Sequence, residues 1–240
     1  MYVEAPLSAG EAVAATPDQA HYLLNVLRLG AGVSIALFNG RDGEWAAEVQ
    51  VKGKRQCDLL PVLHLRPQAA SPDTWLLFAP VKGQRTEFIA EKATELGVAA
   101  LLPVITARTN ARVNVERLAA NAREAAEQSW RLDVPEVREA RPLDAVLAAW
   151  PADRRLMFCD ETGASPPAPV ALRAASPGPW AVLIGPEGGF SADEIERVKA
   201  MPQAVPVGLG PRILRADTAA TAALTLLQAA IGDWGVITRT

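Results

Sequence analysis

The sequence has little with which to build a secreted, disulfide-stapled or metal-dependent protein. Its 240 residues include two cysteines and two histidines. Cys57 and Cys159 lie far apart and match neither a metal-ligand nor a redox spacing, so both are expected to be thiols in a reducing compartment. No metal site is expected. His64 falls in a strand-rich region and His21 in a helix, and neither belongs to a catalytic motif. No run is apolar enough to cross a bilayer: the weakly polar stretch 218–231 is interrupted by Thr221, Thr225 and Gln228. The N-terminus lacks the charged-then-apolar pattern of a signal peptide. A cytoplasmic protein without a membrane partner is the expectation. Excess positive charge is also missing. A net charge of −3 argues against a protein that coats nucleic acid through a broad positive field. Binding to RNA would fall to local patches, either Lys52, Lys54 and Arg55 or the set Lys82, Arg85, Arg108, Arg112 and Arg131. Each patch also fits a solvated polar face.

What is present is core-forming material. Half of the residues are hydrophobic, enough for one large or two modest domains. Residues 33–38, 45–51 and 58–65 read as short strands, with Asn39-Gly40 as a hairpin signal. Before them, Thr16-Pro17 marks a helix start, with Tyr22, Val26 and Leu29 at apolar spacing. Residues 66–73 hold two prolines and no hydrophobic period, which makes them the natural linker and divides the chain into domains 1–70 and 71–240. Beyond it, apolar runs at 75–79, 101–105, 156–159, 180–184 and 205–209 alternate with helical patterns at 86–96, 115–131, 191–200 and 218–231. Such alternation predicts a largely parallel sheet covered by helices. Gly97 suits the end of one helix, and Ser191 with Glu194 has capping-box spacing at the start of another. Residues 164–179, rich in Pro, Ser and Ala, read as an irregular surface loop.

Ligands of open parallel sheets sit beyond the carboxyl ends of strands. Two segments suit that position. In Leu183-Ile184-Gly185-Pro186-Glu187-Gly188-Gly189-Phe190, a buried strand runs into a glycine turn before a capped helix. Gly185, Gly188 and Gly189 could take positive φ and admit a ligand without interference from Cβ. In Gly208-Leu209-Gly210-Pro211-Arg212-Ile213-Leu214-Arg215-Ala216-Asp217-Thr218-Ala219, two arginines flank apolar residues, and Asp217 or Thr218 could cap the following helix. Neither segment has the spaced glycines of a dinucleotide fingerprint or a P-loop, which removes a nucleotide-dependent oxidoreductase from consideration.

These two segments resemble the ribosomal RNA small subunit methyltransferase E family of the SPOUT superfamily. The resemblance extends to Lys82-Gly83-Gln84-Arg85-Thr86-Glu87, to Glu91-Lys92-Ala93-Thr94-Glu95-Leu96-Gly97-Val98, and to Ala126-Glu127-Gln128-Ser129 through Arg131 to Val134-Pro135. It also takes in His21, Val26-Leu27-Arg28 and Phe38-Asn39-Gly40. The resemblance implies a PUA-like β-barrel domain that contacts RNA, followed by a SPOUT-type α/β domain. That domain would have a knotted parallel sheet with helices on both faces. It further implies a homodimer that uses S-adenosylmethionine to methylate N3 of a uridine in 16S ribosomal RNA, free or within the small subunit. The cofactor would lie against Ile184, Gly185, Glu187, Gly188 and Gly189 of the first segment. From the second it would meet Leu209, Gly210, Ile213, Leu214, Arg215, Thr218 and Ala219. Arg28, Lys82, Arg85, Arg108 and Arg112 would contact RNA. Two positions depart from the family: Asp217 stands where many relatives have Glu, and Trp130 where a small residue is expected.

Uridine N3 carries a proton and is a poor nucleophile until that proton leaves. The resulting charge spreads to O2 and O4, where a planar guanidinium could stabilise it, which makes Arg215 and Arg131 candidates. Asp217 and Glu187 could accept the proton directly or through water, and solvent alone is a third option. The competing reading is a non-catalytic RNA-binding protein that retains the fold.

Overall fold

In the computed structural model, which describes residues 1–69 and 71–235, the strands form one antiparallel and one parallel sheet. The antiparallel sheet contains β1 (Val13–Ala14), β2 (Ser34–Phe38), β3 (Glu44–Gly53) and β4 (Gln56–Arg66), ordered β1-β4-β3-β2. Successive side chains alternate between its faces, so Ala47 and Val49 of β3 and Cys57 and Leu59 of β4 enter one core with Val3, Leu7, Val13, Leu23 and Leu37. The β2–β3 connection is longer than a two-residue turn. Asn39 Oδ1 accepts the amides of Arg41 at 3.0 Å and Asp42 at 2.9 Å, and this ordered loop runs through residues 39–43.

Helix α1 (Pro17–His21) begins where Thr16-Pro17 predicts. Gln19 N–H donates to the Thr16 hydroxyl at 3.3 Å, and Thr16 N–H donates to Gln19 Oε1 at 2.9 Å. Its apolar face differs from the expected one. A wider π-helical turn, Tyr22–Val26, follows, closed by Leu27 N–H on the Tyr22 carbonyl at 2.9 Å. The extra residue in that turn rotates the register, so Ala20 and Leu23 are buried while Tyr22 and Val26 are exposed.

The parallel sheet contains β5 (Thr74–Phe78), β6 (Ala100–Ile105), β7 (Glu136–Val137), β8 (Arg141–Pro142), β9 (Arg155–Cys159), β10 (Trp180–Ile184) and β11 (Ala204–Val207). Its order is β11-β9-β10-β5-β6-β7, with β8 also on β6, and every pairing among the described residues is parallel. The accompanying helices are α2 (Arg85–Glu95), α3 (Val115–Gln128), α4 (Leu143–Ala148), α5 (Ala168–Ala171), α6 (Ala192–Lys199) and α7 (Ala216–Ile231). Alternate strand residues, among them Leu77, Leu102, Leu156, Phe158 and Leu183, pack with Leu143 of α4 and Val198 of α6. Their neighbours of opposite parity, Leu76, Phe78, Leu101, Met157 and Val182, are buried on the other face, where α7 packs on β10 and on α2. Helices on both faces explain why these strands read as continuous apolar runs instead of alternating ones. Residues 164–179 are more ordered than expected. They hold α5 and the 3-10 turn Leu172–Ala174, anchored by buried Ala168 and Leu172, and Pro167 bridges to Gly208.

Two helices end with the same backbone device. After α2, Gly97 has φ +82° and Val98 N–H reaches the Ala93 carbonyl at 3.1 Å. After α3, Trp130 has φ +62° and Arg131 N–H reaches the Ala126 carbonyl at 3.1 Å. This is the Schellman arrangement, whose left-handed residue is usually glycine.

Contacts group Met1–Ala70 with Ala126–Val134 in one compact unit and Ser71–Ala125 with Pro135–Thr240 in another. Within the first, Phe38, Ala126 and Leu132 cluster with Tyr2 and Val134, and Tyr2 N–H donates to Glu127 Oε1 at 2.9 Å. No helix among the described residues is long and apolar enough to cross a membrane.

Candidate active site

Strands β11, β9 and β10 are neighbours in the sheet, so the loops after their carboxyl ends converge. Together they enclose a cavity of about 310 Å³. Of the residues expected at the cofactor, the wall contains Ile184, Gly185, Glu187, Leu209, Gly210, Ile213, Leu214 and Ala219. Gly188, Gly189 and Arg215 stand in the same loops, and Asp217 and Thr218 in the first turn of α7, without lining it. Ile213 is 90% exposed, an apolar side chain left uncovered at the cavity wall.

The glycine turn is held from below by packing. A Cβ on Gly185 would come within 2.7 Å of the Phe190 ring, which sits edge-on to Phe158 at 5.3 Å in the core. Positive φ occurs at Gly189 (+68°), and neither Gly185 nor Gly188 needs it. The expectation of left-handed backbone therefore holds for one of the three. Gly185 is glycine because an aromatic ring occupies the place of its side chain. At Gly188 a Cβ would meet Arg108 at 3.5 Å, an ordinary contact. Helix α6 then starts from Ser191 in the expected capping box, worth about 1 kcal/mol. Glu194 also accepts Ala107 N–H at 2.7 Å, tying the turn to the loop after β6.

The second loop enters α7 differently from expectation. Arg215 is the N-cap residue and, having only donors, provides no side-chain cap, while Asp217 and Thr218 lie inside the first turn. The Asp217 carboxylate accepts the adjacent Thr218 N–H at 2.9 Å, next to the positive end of the helix. Arg215 and Arg212 are exposed and have no ion-pair partner among the described residues.

Sequence reasoning missed a third wall, the end of β9 and the loop after it, from which Cys159 and then Asp160, Glu161, Thr162 and Gly163 line the cavity. A cluster of polar residues directly after a buried strand was the available signal. Burial pushes the Cys159 thiol up to about 12, which leaves it inert as a nucleophile. Burial also pushes the Asp160 carboxyl up. Hydrogen bonds from Lys199 Nζ at 2.7 Å, Ser165 Oγ at 2.6 Å and Thr162 N–H at 2.9 Å outweigh that effect and hold it below the usual carboxylate range. Glu161 goes the other way. Partial burial of its carboxyl, with help from the Asp160 charge, raises it against the pull of the Phe190 amide and Arg108.

The expected RNA-contacting residues separate. Arg85 pairs with Glu187, and Arg108 donates to the Gly188 carbonyl at 2.7 Å, so both brace the glycine turn. Lys82 and Arg112 line a second cavity of about 370 Å³ between the start of α2 and the start of α3, and neither has an ion-pair partner among the described residues. Arg28 is exposed in the first unit with φ +56°. Arg131 also belongs to the first unit, where its largely buried side chain pairs with Asp133 at 3.1 Å. Lys52 pairs with Asp58, leaving Lys54 and Arg55 beside a shallow depression near Pro17. Among the described residues no cluster of His, Cys, Asp or Glu could hold a metal ion.

Comparison with known proteins matches residues 69–228 to the family model of an RNA methyltransferase domain and residues 15–62 to that of an RNA methyltransferase PUA domain. A ribosomal RNA small subunit methyltransferase E from Rickettsia conorii is 30% identical, covering 95% of this chain and 94% of that protein. The protein of the same name from Bacillus subtilis is also 30% identical, over 89% of this chain and 88% of its own length. The crystal structure of a ribosomal RNA small subunit methyltransferase E from Neisseria gonorrhoeae, bound to S-adenosylmethionine, superposes with a TM-score of 0.88. It is 28% identical and covers 97% of this chain and 98% of that one.

Proposed function

Because the chain belongs to the ribosomal RNA small subunit methyltransferase E family, we propose that it transfers a methyl group from S-adenosylmethionine to N3 of a uridine in 16S ribosomal RNA. The observation that carries this reading is the cavity where three parallel strand ends meet. Its residues suit the cofactor: Ile184, Leu209 and Leu214 offer an apolar slot for adenine, and the glycines let backbone polar groups approach. The volume, about 310 Å³, lies at the lower end of the range for small-molecule sites. When bound, the cofactor supplies an electrophilic methyl group.

The protein's own contribution is to orient the uracil and stabilise its charge. Arg215, exposed where its loop enters α7, is the candidate cation for the uracil oxygens. Asp217 or Glu187, or solvent, takes the N3 proton. Glu187 is already paired with Arg85, which favours Asp217 over it. In this reading the first unit contacts RNA through Arg28, and Lys82 and Arg112 carry phosphates of the same substrate. The protein works as a cytoplasmic homodimer, and its parallel sheet is threaded as a knot. Arg131, which pairs with Asp133 within the first unit, is the second candidate cation for the uracil.

The test is single-turnover methylation of 16S ribosomal RNA with labelled cofactor, read by nucleoside mass analysis and by reverse transcription. Methylation at N3 blocks the pairing edge, so the reverse transcriptase stops at the modified nucleotide. A methylated product that permits read-through overturns the N3 assignment. Arg215→Lys keeps a cation but loses the planar fork, and slows methyl transfer far more than it weakens cofactor binding.

A further inference from the structure

The acidic residues of the cavity wall are not in equivalent situations. Asp160 turns its carboxylate into the protein, where Lys199 neutralises it at 2.7 Å. Glu187 is paired with Arg85. Glu161 alone of the three has no cation within salt-bridge distance among the described residues. Arg108 attracts it from farther away and is itself committed to the Gly188 carbonyl. Arg212, the one cationic side chain in the wall among the described residues, is exposed.

The position of Glu161 is built in. Its carboxylate accepts the Phe190 N–H, and its Oε1 lies 1.6 Å from where a Cβ on Gly189 would be. The glycine turn therefore seats this carboxylate with its backbone, and glycine at 189 leaves the room it needs. The residue is otherwise open to the cavity. A ligand that fills the cavity strips water from it. An uncharged ligand would leave the carboxylate desolvated without a partner, whereas a cationic one would supply the partner.

We propose that Glu161 selects the charged, methyl-bearing form of the cofactor, complementing the positive charge that S-adenosylmethionine carries and S-adenosylhomocysteine lacks. The inference rests on the cofactor reading given above. In the transfer, the bond between sulfur and methyl breaks and its electron pair stays on sulfur, while the uracil N3 electron pair forms the new bond to carbon. The N3 proton leaves to the acceptor or to water. The sulfonium thus becomes a neutral thioether, the net charge of the bound molecule falls from +1 to 0, and Glu161 is left facing a ligand it no longer matches. Discrimination and release of the spent cofactor then share one cause.

Titration calorimetry of the full chain with S-adenosylmethionine and, separately, with S-adenosylhomocysteine tests this. Glu161→Gln should weaken binding of the sulfonium on the order of tenfold, the scale of a lost charged contact, while affinity for the thioether changes much less. Glu161→Asp, which keeps the charge, should preserve most of the preference. Retained thioether binding shows that each variant is folded. Equal weakening toward both ligands would assign Glu161 to the ribose or amino-acid part they share and overturn the proposal, as would no change toward either. Failure of the wild-type chain to bind either ligand would remove the cofactor reading itself, a result distinguishable from the others.

Discussion

Trp130 allows a sharp test of how this backbone is held. It occupies the left-handed position of the turn that ends α3, with φ +62°, and it is 70% exposed. The same turn after α2 uses Gly97 at φ +82°. A left-handed conformation costs an L-residue about 1–2 kcal/mol, whereas glycine avoids that cost but loses about 0.5–1 kcal/mol more conformational entropy on folding. Replacing Trp130 also removes whatever the ring packs against, so the comparison belongs between two variants that both lack it. Trp130→Gly should be more stable than Trp130→Ala by about 0.5–1 kcal/mol, the difference of those two terms. For a chain of this size that corresponds to roughly 2–4 °C in Tm at the upper end. At Glu124, an exposed position inside α3, the order should reverse, because glycine in a helix interior is about 1 kcal/mol worse than alanine. Thermal and urea unfolding of the four variants would check both signs. If Trp130→Ala proved as stable as Trp130→Gly while Glu124 behaved normally, the φ-based reasoning would be wrong.

Two further outcomes follow from the site. Gly189→Ala forces a Cβ onto the Glu161 carboxylate at a φ of +68°, so cofactor affinity should fall, and the added substitution Glu161→Ala should restore part of the folding stability lost. Non-interacting losses in the double variant, measured by unfolding, would refute the contact. Asp160 has its folded pKa depressed, so its contribution is present above the unfolded value of about 4 and is lost as pH falls below it. Asp160→Asn should therefore destabilise by about 1.5–3 kcal/mol at neutral pH, with the gap to wild type closing at lower pH. A gap that stayed constant down to pH 3 in denaturant titrations would contradict that sign.

Much of this site could be read from local pattern. The glycine turn at residues 185–189 and the loop at 208–219 each follow a buried apolar run, and a strand end followed by glycine and a helix is a local signal. The loop holding Glu161 escaped because its place depends on β9 lying between β10 and β11, an adjacency set by strand order. The caps at Thr16 and Ser191 were legible for the same local reason, being hydrogen bonds across three residues. Arg215 as the cap of α7 was not, since the loop could end at any of three neighbouring residues and packing decided. Tyr22 and Val26 misled because a single wide turn breaks the spacing on which the apolar face was counted. Gly185 and Gly189 looked alike in sequence, yet one answers to an aromatic ring and the other to backbone handedness and a carboxylate, causes that only tertiary contacts separate.

The grouping of Ala126–Val134 with the N-terminal residues bears on how the chain is made. A ribosome delivers the first 70 residues long before Leu132 and Val134 leave the exit tunnel. Until then Tyr2 and Phe38 lack the neighbours that complete their cluster, and Glu127 is not there to accept the Tyr2 amide. The nascent N-terminal unit must therefore wait, with an aromatic flank uncovered, for residues 126–134, which are made only after the linker and the first strands and helices of the other unit. Domains that emerge first ordinarily close first. Here closure is deferred, so a fragment cut at the linker inherits the open flank permanently, and a chaperone that shields aromatic surface has a defined interval of synthesis in which to act.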